Sequence, residues 1–158
     1  MKRIAKFEKV SLTEYIKNGT KQDYLDIIMP KRATTGSAGY DFFAPKEYLI
    51  KSSETATIPT GIRVNIDEGW VLKIYPRSSM GFKYRLTLNN TVGIIDSDYY
   101  YADNEGHIFI KVTNCGDKDL LIEKGKAFAQ GVFVEYGITV DDDATSARHG
   151  GIGSTDKK

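Results

Sequence analysis

The chain has 158 residues, a length that fits one domain and leaves little room for a second. Its 22 basic and 21 acidic residues give a net charge of +1 and no block of Lys or Arg occurs, which excludes the diffuse positive surface of a nucleic-acid-binding protein. Cys115 is the single cysteine, which excludes an intrachain disulfide and favours the cytoplasm. The charged beginning, MKRIAKFEKV, is not typical of a secretory signal, and no apolar run is long enough to predict a membrane span.

The beginning of the chain predicts one short helix. The segment SLTE at 11–14 has the spacing of a capping box, so we expect a helix at 12–18 that packs on the body of the protein through Leu12, Tyr15 and Ile16. A second helical turn is predicted at Ser78–Lys83.

From residue 38 onward, runs rich in Val, Ile, Thr, Tyr and Phe alternate with turn residues and predict strands. The predicted strands are Tyr40–Phe43, Tyr48–Ile50, Ala56–Ile58, Ile62–Ile66, Val71–Tyr75, Leu86–Leu88, His107–Val112, Leu120–Ile122 and Phe128–Glu135. Short strands at this spacing favour an all-β sandwich or barrel over repeated strand–helix–strand units.

Residues 141–158 differ in composition from the rest of the chain. After three aspartates, the sequence ATSARHGGIGSTDKK has almost no apolar residue, so it cannot fold by burying surface of its own. We therefore divide the chain into a domain at 1–140 and a C-terminal arm at 141–158. The arginine, glycines and Ser-Thr pair of the arm suit a triphosphate, although such a composition more commonly belongs to a glycine-rich terminus without a ligand.

The segment TVGIIDSDYYYADNEG at 91–106 combines acidic and phenolic side chains. It does not fit an EF-hand calcium loop, because a loop that starts at Asp96 has Tyr100 at position five, Tyr101 at position six and His107 at position twelve. In a straight strand Asp96 and Tyr99 point to opposite faces, so the chain must turn between them if both contact one ligand. A hairpin here could recognise a flat base through its backbone groups, and a solvated surface turn is the alternative.

Other polar positions suggest an anion site. The segment PRSSMG at 76–81 places Arg77 before two serines at the beginning of the second predicted helical turn, where a guanidinium, hydroxyls and backbone N–H groups could converge on a phosphate. A capping serine beside a surface arginine is the alternative. The two histidines and the cysteine are too dispersed to favour a zinc site or a Cys/His nucleophile pair.

Taken in chain order, five segments resemble the five motifs of the homotrimeric dUTP pyrophosphatases, or dUTPases. AGYDFFA resembles the first motif, PRSSMG the second, NTVGIIDSDY the third, GKAFAQ the fourth and RHGGIGST the fifth. The resemblance implies a distorted jelly-roll β-barrel and a homotrimer with shared active sites. It also implies Mg²⁺-dependent hydrolysis of dUTP to dUMP and pyrophosphate, which limits uracil incorporation into DNA and supplies dUMP. The arm at 141–158 is then expected to complete a neighbouring active site.

The resemblance also assigns roles to single residues. Asp96 matches the general base that activates the attacking water, and Tyr99 matches the ring that packs against the deoxyribose and excludes a 2′-hydroxyl. Asp41 matches a residue that binds Mg²⁺ through water. The remaining matches are substrate-binding: Asn90, Gly93, Ile94 and Ile95 for uracil, Arg77, Ser78, Ser79, Gln130, Arg148, Gly153 and Ser154 for phosphates, and Ile152 at the position that covers the base.

The chain departs from the family pattern at two places. The fifth motif commonly has Phe where this chain has Ile152, so an aliphatic side chain would cover the base. The third motif commonly continues with Arg-Gly-Glu, whereas here an extension of about five residues precedes Glu105-Gly106, and the 100–106 loop could contact a protein partner. Two alternatives therefore remain on this fold: a regulatory or interaction protein without turnover, and, less favoured, a dCTP deaminase.

Overall fold

The computed structural model describes residues 1–151, and the statements below concern this range. The strands are β1 (Ala5–Lys9), β2 (Lys31–Arg32), β3 (Tyr40–Phe43), β4 (Tyr48–Ile50), β5 (Thr55–Pro59), β6 (Ile62–Ile66), β7 (Trp70–Pro76), β8 (Leu86–Leu88), β9 (Gly93–Ile95), β10 (Phe109–Asn114), β11 (Leu120–Ile122) and β12 (Ala127–Glu135). The α-helices are α1 (Leu12–Tyr15), α2 (Lys21–Leu25) and α3 (Ser78–Tyr84), and a 3₁₀ helix spans Ser97–Tyr101. None of these helices is long and apolar enough to cross a membrane.

The largest sheet has the strand order β2-β3-β12-β7-β9, and all its neighbouring strands are antiparallel. Strand β12 lies in the middle, so that Gln130 is opposite Asp41 of β3 on one side and opposite Tyr75 of β7 on the other. The smaller sheets are β5-β10-β8, β1-β6 and β11-β4. Side chains from all four sheets pack into one hydrophobic core.

The alternation of apolar and polar residues located most strands from the sequence. Strands β3, β4, β6, β8 and β11 begin and end at the predicted residues, and β5, β7, β10 and β12 differ by one or two residues at their ends. In β6, Ile62, Val64 and Ile66 are buried whereas Arg63 and Asn65 are not, as expected when one face packs on the core. The prediction of an all-β fold with short helices is confirmed.

The first predicted helix is shorter than expected, and only half of its capping box forms. Helix α1 ends at Tyr15, and the Ser11 hydroxyl accepts a hydrogen bond from the Glu14 N–H at 3.1 Å. The backbone N–H of Ser11 donates instead to the carboxylate of Glu105 at 3.1 Å, because Glu14 is buried elsewhere. Tyr15 packs in the core as predicted, but Ile16 is 51% exposed.

Helix α2, strands β1, β2 and β9 and the 3₁₀ helix were not predicted. Helix α2 begins with a capping box between Thr20 and Asp23. The third helical position of this motif usually holds Glu or Gln, and Asp23 departs from that pattern. Of the two alternatives for the segment at 91–106, the hairpin does not form, since β9 pairs with the distant strand β7 and leads directly into the 3₁₀ helix. In β9 (Gly-Ile-Ile) the buried position is a glycine, so the apolar side chain that would mark a core-facing strand is missing.

His107 was predicted to begin a strand, but β10 begins at Phe109, and the His107 side chain is buried beside Gly61 and Glu14. Its Nε2 accepts a hydrogen bond from the Gly61 N–H at 2.9 Å, which leaves the proton of the neutral ring on Nδ1. Nδ1 lies 3.7 Å from the Glu14 carboxylate, too far for a hydrogen bond. Burial lowers the pKa of His107 to about 4, and the attraction of Glu14 offsets only part of this effect.

We expect His107 to make the free energy of unfolding depend on pH. The unfolded histidine binds a proton near its ordinary pKa of about 6.5, whereas the folded one does so only near pH 4, so stability is fully present above pH 6.5 and falls as the pH is lowered. Between pH 7 and 5 the loss is about 2 kcal/mol. Urea unfolding of His107→Gln should lack this slope, while His149→Gln, which replaces the exposed histidine, should retain it. Equal slopes in both variants would contradict the assignment.

Candidate active site

A pocket of ≈ 270 Å³ lies beside the outer edge of the five-stranded sheet. Apolar side chains from β7, β8 and β10 line one part of it, and the backbone of β9 lines another. The polar groups at the pocket are an aspartate, a tyrosine, a lysine, an asparagine and an arginine. The lining residues are Ile74, Leu88, Asn90, Gly93, Ile94, Ile95, Asp96, Tyr99, Ile108, Phe109, Ile110, Lys111, Arg148 and Gly151.

Strand β9 is the last strand of its sheet and presents backbone groups to the pocket. It pairs with β7 on one side, and no strand of the described chain pairs with its outer side. The outer N–H and C=O groups of such an edge strand can bind another flat hydrogen-bonding group. At Gly93 a Cβ atom would lie 3.0 Å from Cβ of Ile74, so glycine allows the close approach of β9 to β7.

The 3₁₀ helix brings Asp96 and Tyr99 to the same pocket. Asp96 has extended backbone angles and immediately precedes this helix, and its carbonyl accepts the N–H of Tyr99 at 3.2 Å. Side chains three residues apart lie on one side of a 3₁₀ turn, whereas in a strand they would point to opposite faces. The chain therefore makes the turn between Asp96 and Tyr99 that is needed if both side chains are to contact one ligand.

Tyr99 is fixed at both its ring and its hydroxyl. Its side chain is buried, with 6% of its surface exposed. The hydroxyl donates to the carbonyl of His107 at 2.7 Å and accepts from Nδ2 of Asn104 at 2.9 Å. Burial raises the pKa of Tyr99, so the phenol stays neutral near pH 7.

Arg148 connects the C-terminal segment to this pocket. Its Nη2 lies 2.7 Å from Asp96, its Nε lies 2.8 Å from Asp98, and its guanidinium carbon lies 5.9 Å from the centre of the Tyr99 ring. Asp98, to which the sequence assigned no role in binding, thus shares the arginine with Asp96. The arginine itself is only 18% exposed, so its charge is compensated mainly by these two carboxylates.

A second group of the predicted residues lies around a shallow depression at the junction of β7 and α3, lined by Tyr75, Pro76, Arg77, Ser78, Gly81 and Phe82. Arg77 is the N-cap of α3 and donates from Nη1 to Asp41 at 3.0 Å. Gln130 donates to the carbonyl of Pro76, and a Cβ at Gly39 would lie 2.7 Å from its side-chain oxygen. The first, second and fourth motif-like segments therefore meet through β3, β7 and β12.

The structure thus divides the predicted site residues into two groups. Asn90, Gly93, Ile94, Ile95, Asp96, Tyr99 and Arg148 line the pocket, whereas Asp41, Arg77, Ser78, Ser79 and Gln130 belong to the segments around the second depression. The two depressions have no lining residue in common. Ile152, Gly153 and Ser154 lie outside the described residues. Within residues 1–151, no three His, Cys, Asp or Glu side chains lie close enough to hold a metal ion.

Sequence reasoning missed two polar residues: Lys111, which lines the pocket, and Asn104, which contacts the Tyr99 hydroxyl. Lys111 lies on an exposed position of β10, where the pattern predicts only a solvated side chain. Asn104 belongs to the 100–106 loop, which gave no chemical signal of its own. Its relation to Tyr99 depends on the return of the loop, which spacing alone does not predict.

Comparisons with known proteins agree with this geometry. The sequence model of the dUTPase family matches residues 26–156. The deoxyuridine 5′-triphosphate nucleotidohydrolase of Lactococcus lactis subsp. lactis is 42% identical over 139 residues, which cover 86% of this chain and 93% of that protein. The corresponding protein of Paraburkholderia xenovorans is 41% identical over 138 residues, covering 82% of this chain and 89% of that protein.

The crystal structure of the dUTPase from Streptococcus mutans aligns with a TM-score of 0.68 at 36% sequence identity, and the alignment covers 84% of this chain and 97% of that one. This similarity confirms the predicted jelly-roll architecture. With the family match across most of its length, the chain belongs to the dUTPase family.

Proposed function

We propose that the protein hydrolyses dUTP to dUMP and pyrophosphate through attack of water at the α-phosphorus. The observation that carries this proposal is the joint placement of Asp96 and Tyr99 on one 3₁₀ turn, beside an edge strand and an apolar pocket. The names of its curated relatives agree with it. Such an activity limits uracil incorporation into DNA and supplies dUMP for dTMP synthesis.

The uracil base binds at the outer edge of β9. One edge of uracil carries two carbonyl oxygens with an N–H between them, a pattern that backbone N–H and C=O groups can match. Gly93, Ile94 and Ile95 supply these groups, and Asn90 lies at the same pocket. The apolar side chains of the pocket, among them Ile74, contact the ring faces and keep water away from them.

Asp96 is the general base. Its carboxylate takes a proton from water, the water oxygen bonds to the α-phosphorus, and the bond between that phosphorus and the bridging oxygen breaks, so that pyrophosphate leaves. Arg148 contacts Asp96 and Asp98 in the structure. The oxygens of a triphosphate can accept the same hydrogen bonds from the guanidinium. Arg148 therefore releases the two carboxylates and binds phosphate oxygens when substrate binds.

Tyr99 selects the sugar. The ring forms part of the pocket wall, and its two hydrogen bonds hold it against movement. A deoxyribose packs against the ring, whereas the 2′-hydroxyl of a ribose would lose its water without gaining a partner there.

The remaining phosphate-binding groups come from another subunit of a homotrimer. The separation of the predicted residues into two depressions supports this arrangement, because neither contains a complete nucleotide site. Arg77, Ser78, Ser79 and Gln130 of one subunit then contact the phosphates of a nucleotide held by the pocket of the next.

A Mg²⁺ ion bound with the triphosphate would supply charge neutralisation. Asp41 fits a water-mediated role toward it, since its side chain is 13% exposed and already bonded to Arg77. A single carboxylate is consistent with Mg²⁺, which retains several waters and is held largely by substrate phosphates.

The chain has two functional parts, a barrel domain at 1–140 and an arm at 141–158. The last strand, β12, ends at Glu135, and the contacts of Arg148 support a role for the arm in covering bound nucleotide. Closure of such a segment excludes water from the reaction.

Asp96→Asn should lower the turnover of dUTP by roughly 10²–10⁴-fold, because an amide cannot accept the proton of water, while dUTP binding survives. Asp98→Asn is the matched control: it removes the other carboxylate that contacts Arg148 but leaves the base, and a much smaller loss is expected. Pyrophosphate release by Asp96→Asn at the wild-type rate would refute the assignment.

Deletion of residues 145–158 should leave a folded trimer with strongly reduced activity, because the barrel does not need the arm for its core. Light scattering and circular dichroism report assembly and folding, and pyrophosphate release reports activity. The activity of Arg148→Lys, which keeps the charge but loses the planar guanidinium, should lie between that of the wild type and that of the deletion variant. A fully active or unfolded deletion variant would argue against the proposed arm.

The experiment that tests the proposed function is pyrophosphate release from dUTP, UTP, dTTP and dCTP with and without Mg²⁺. We expect release from dUTP alone, and only with the metal. Ammonia release from dCTP would support the deaminase alternative, and nucleotide binding without any product would support the regulatory alternative.

A further inference from the structure

The 100–106 loop, which distinguishes this chain from the common family pattern, is attached to the body of the protein at both ends. The Tyr100 hydroxyl donates to the Glu8 carboxylate at 2.6 Å, and Arg63 stacks over the Tyr100 ring at 4.3 Å. At the other end, Glu105 accepts hydrogen bonds from the N–H and the hydroxyl of Ser11. The loop is therefore held against β1, β6 and the beginning of α1.

Asn104 is the residue of this loop that contacts the proposed sugar-selecting tyrosine. Its Oδ1 accepts the N–H of Gly106 at 3.2 Å, which orients the amide so that Nδ2 points to the hydroxyl of Tyr99 at 2.9 Å. Gly106 has φ of +72°, and a Cβ there would lie 2.7 Å from the Tyr99 carbonyl, so the loop can return to this position only with glycine.

The contact completes the hydrogen bonding of the phenol. Tyr99 has one proton to donate, and it goes to the carbonyl of His107. Asn104 supplies the donor on the other side, so the hydroxyl cannot move toward either partner without losing the second. Asn104 is itself held in place, because its own carbonyl accepts the N–H of His107 at 3.1 Å.

The same part of the loop contacts the C-terminal segment. The N–H of Asp103 donates to the carbonyl of His149 at 3.2 Å. A Cβ at Gly151 would lie 3.2 Å from Nδ2 of Asn104, so the backbone of the segment lies directly against the amide. Asn104 thus stands between the Tyr99 hydroxyl and the segment that carries Arg148.

We propose that Asn104 is a positioning residue for sugar selection: it holds Tyr99 in the place where the ring excludes a 2′-hydroxyl, and the 100–106 loop serves to deliver it. This inference rests on the proposed function of the same site. Without the donor of Asn104 the phenol keeps a single hydrogen bond, and the ring can shift enough to admit a ribose.

The test compares Asn104→Asp, which keeps the acceptor for Gly106 but loses the donor for Tyr99, with Asn104→Ala, which loses both. Asp103→Ala is the control, since its side chain is exposed and its N–H still reaches His149. The ratio of kcat/KM for dUTP to that for UTP should fall roughly three- to tenfold in both Asn104 variants and stay at the wild-type value in the control. A residue with only a structural role would lower both values together and leave the ratio unchanged.

Binding of dUMP and UMP, measured by calorimetry, reports the same selectivity without turnover. An unchanged ratio in both Asn104 variants, with normal dUTP hydrolysis by the wild type, would overturn the inference but leave the proposed function intact. Failure of the wild type to hydrolyse dUTP or to prefer dUMP would overturn both. Unfolding of both variants would also overturn it, because Asn104 would then serve general stability and not sugar selection.

Discussion

The pocket depends on one tight turn, the 3₁₀ helix that follows Asp96. Strand geometry would send Asp96 and Tyr99 to opposite faces, and the change to three residues per turn brings both to one pocket. The turn begins directly after β9, which ends at Ile95, and the missing side chain at Gly93 allows a close approach of β9 to Ile74 of β7. The positions proposed for base recognition, water activation and sugar selection are thus adjacent.

The two arginines of the proposed site are paired with aspartates within the chain. Arg148 is bonded to Asp96 and Asp98, and Arg77 is bonded to Asp41. These partly buried pairs hold the guanidinium groups in fixed directions, which reduces the entropy lost when they bind phosphate. In the proposed function, substrate binding is therefore an exchange of carboxylate partners for phosphate oxygens.

Much of the fold could be predicted from the sequence because burial on one face imposes a period of two. That signal is strong in β6, where Ile62, Val64 and Ile66 are buried in turn, and it placed the strand to the residue. It is weak in β1, whose one large apolar side chain is Phe7, and in β9, whose buried position is a glycine. Strands of this kind exist because a partner strand supplies their hydrogen bonds, and the partner lies far away in the sequence.

The candidate site, like the fold, could be predicted in part from local sequence and depends in part on contacts between distant segments. The sequence by itself determined the all-β class, most strand positions, the motif-like segments and the need for a turn between Asp96 and Tyr99, since all of these follow from local spacing and residue type. Only the tertiary structure decided that the site residues fall into two groups, that Arg148 lies on the two aspartates, and that Asn104 contacts Tyr99. These relations arise from packing between segments distant along the chain, or from the return path of a loop, and neither leaves a periodic pattern in the sequence.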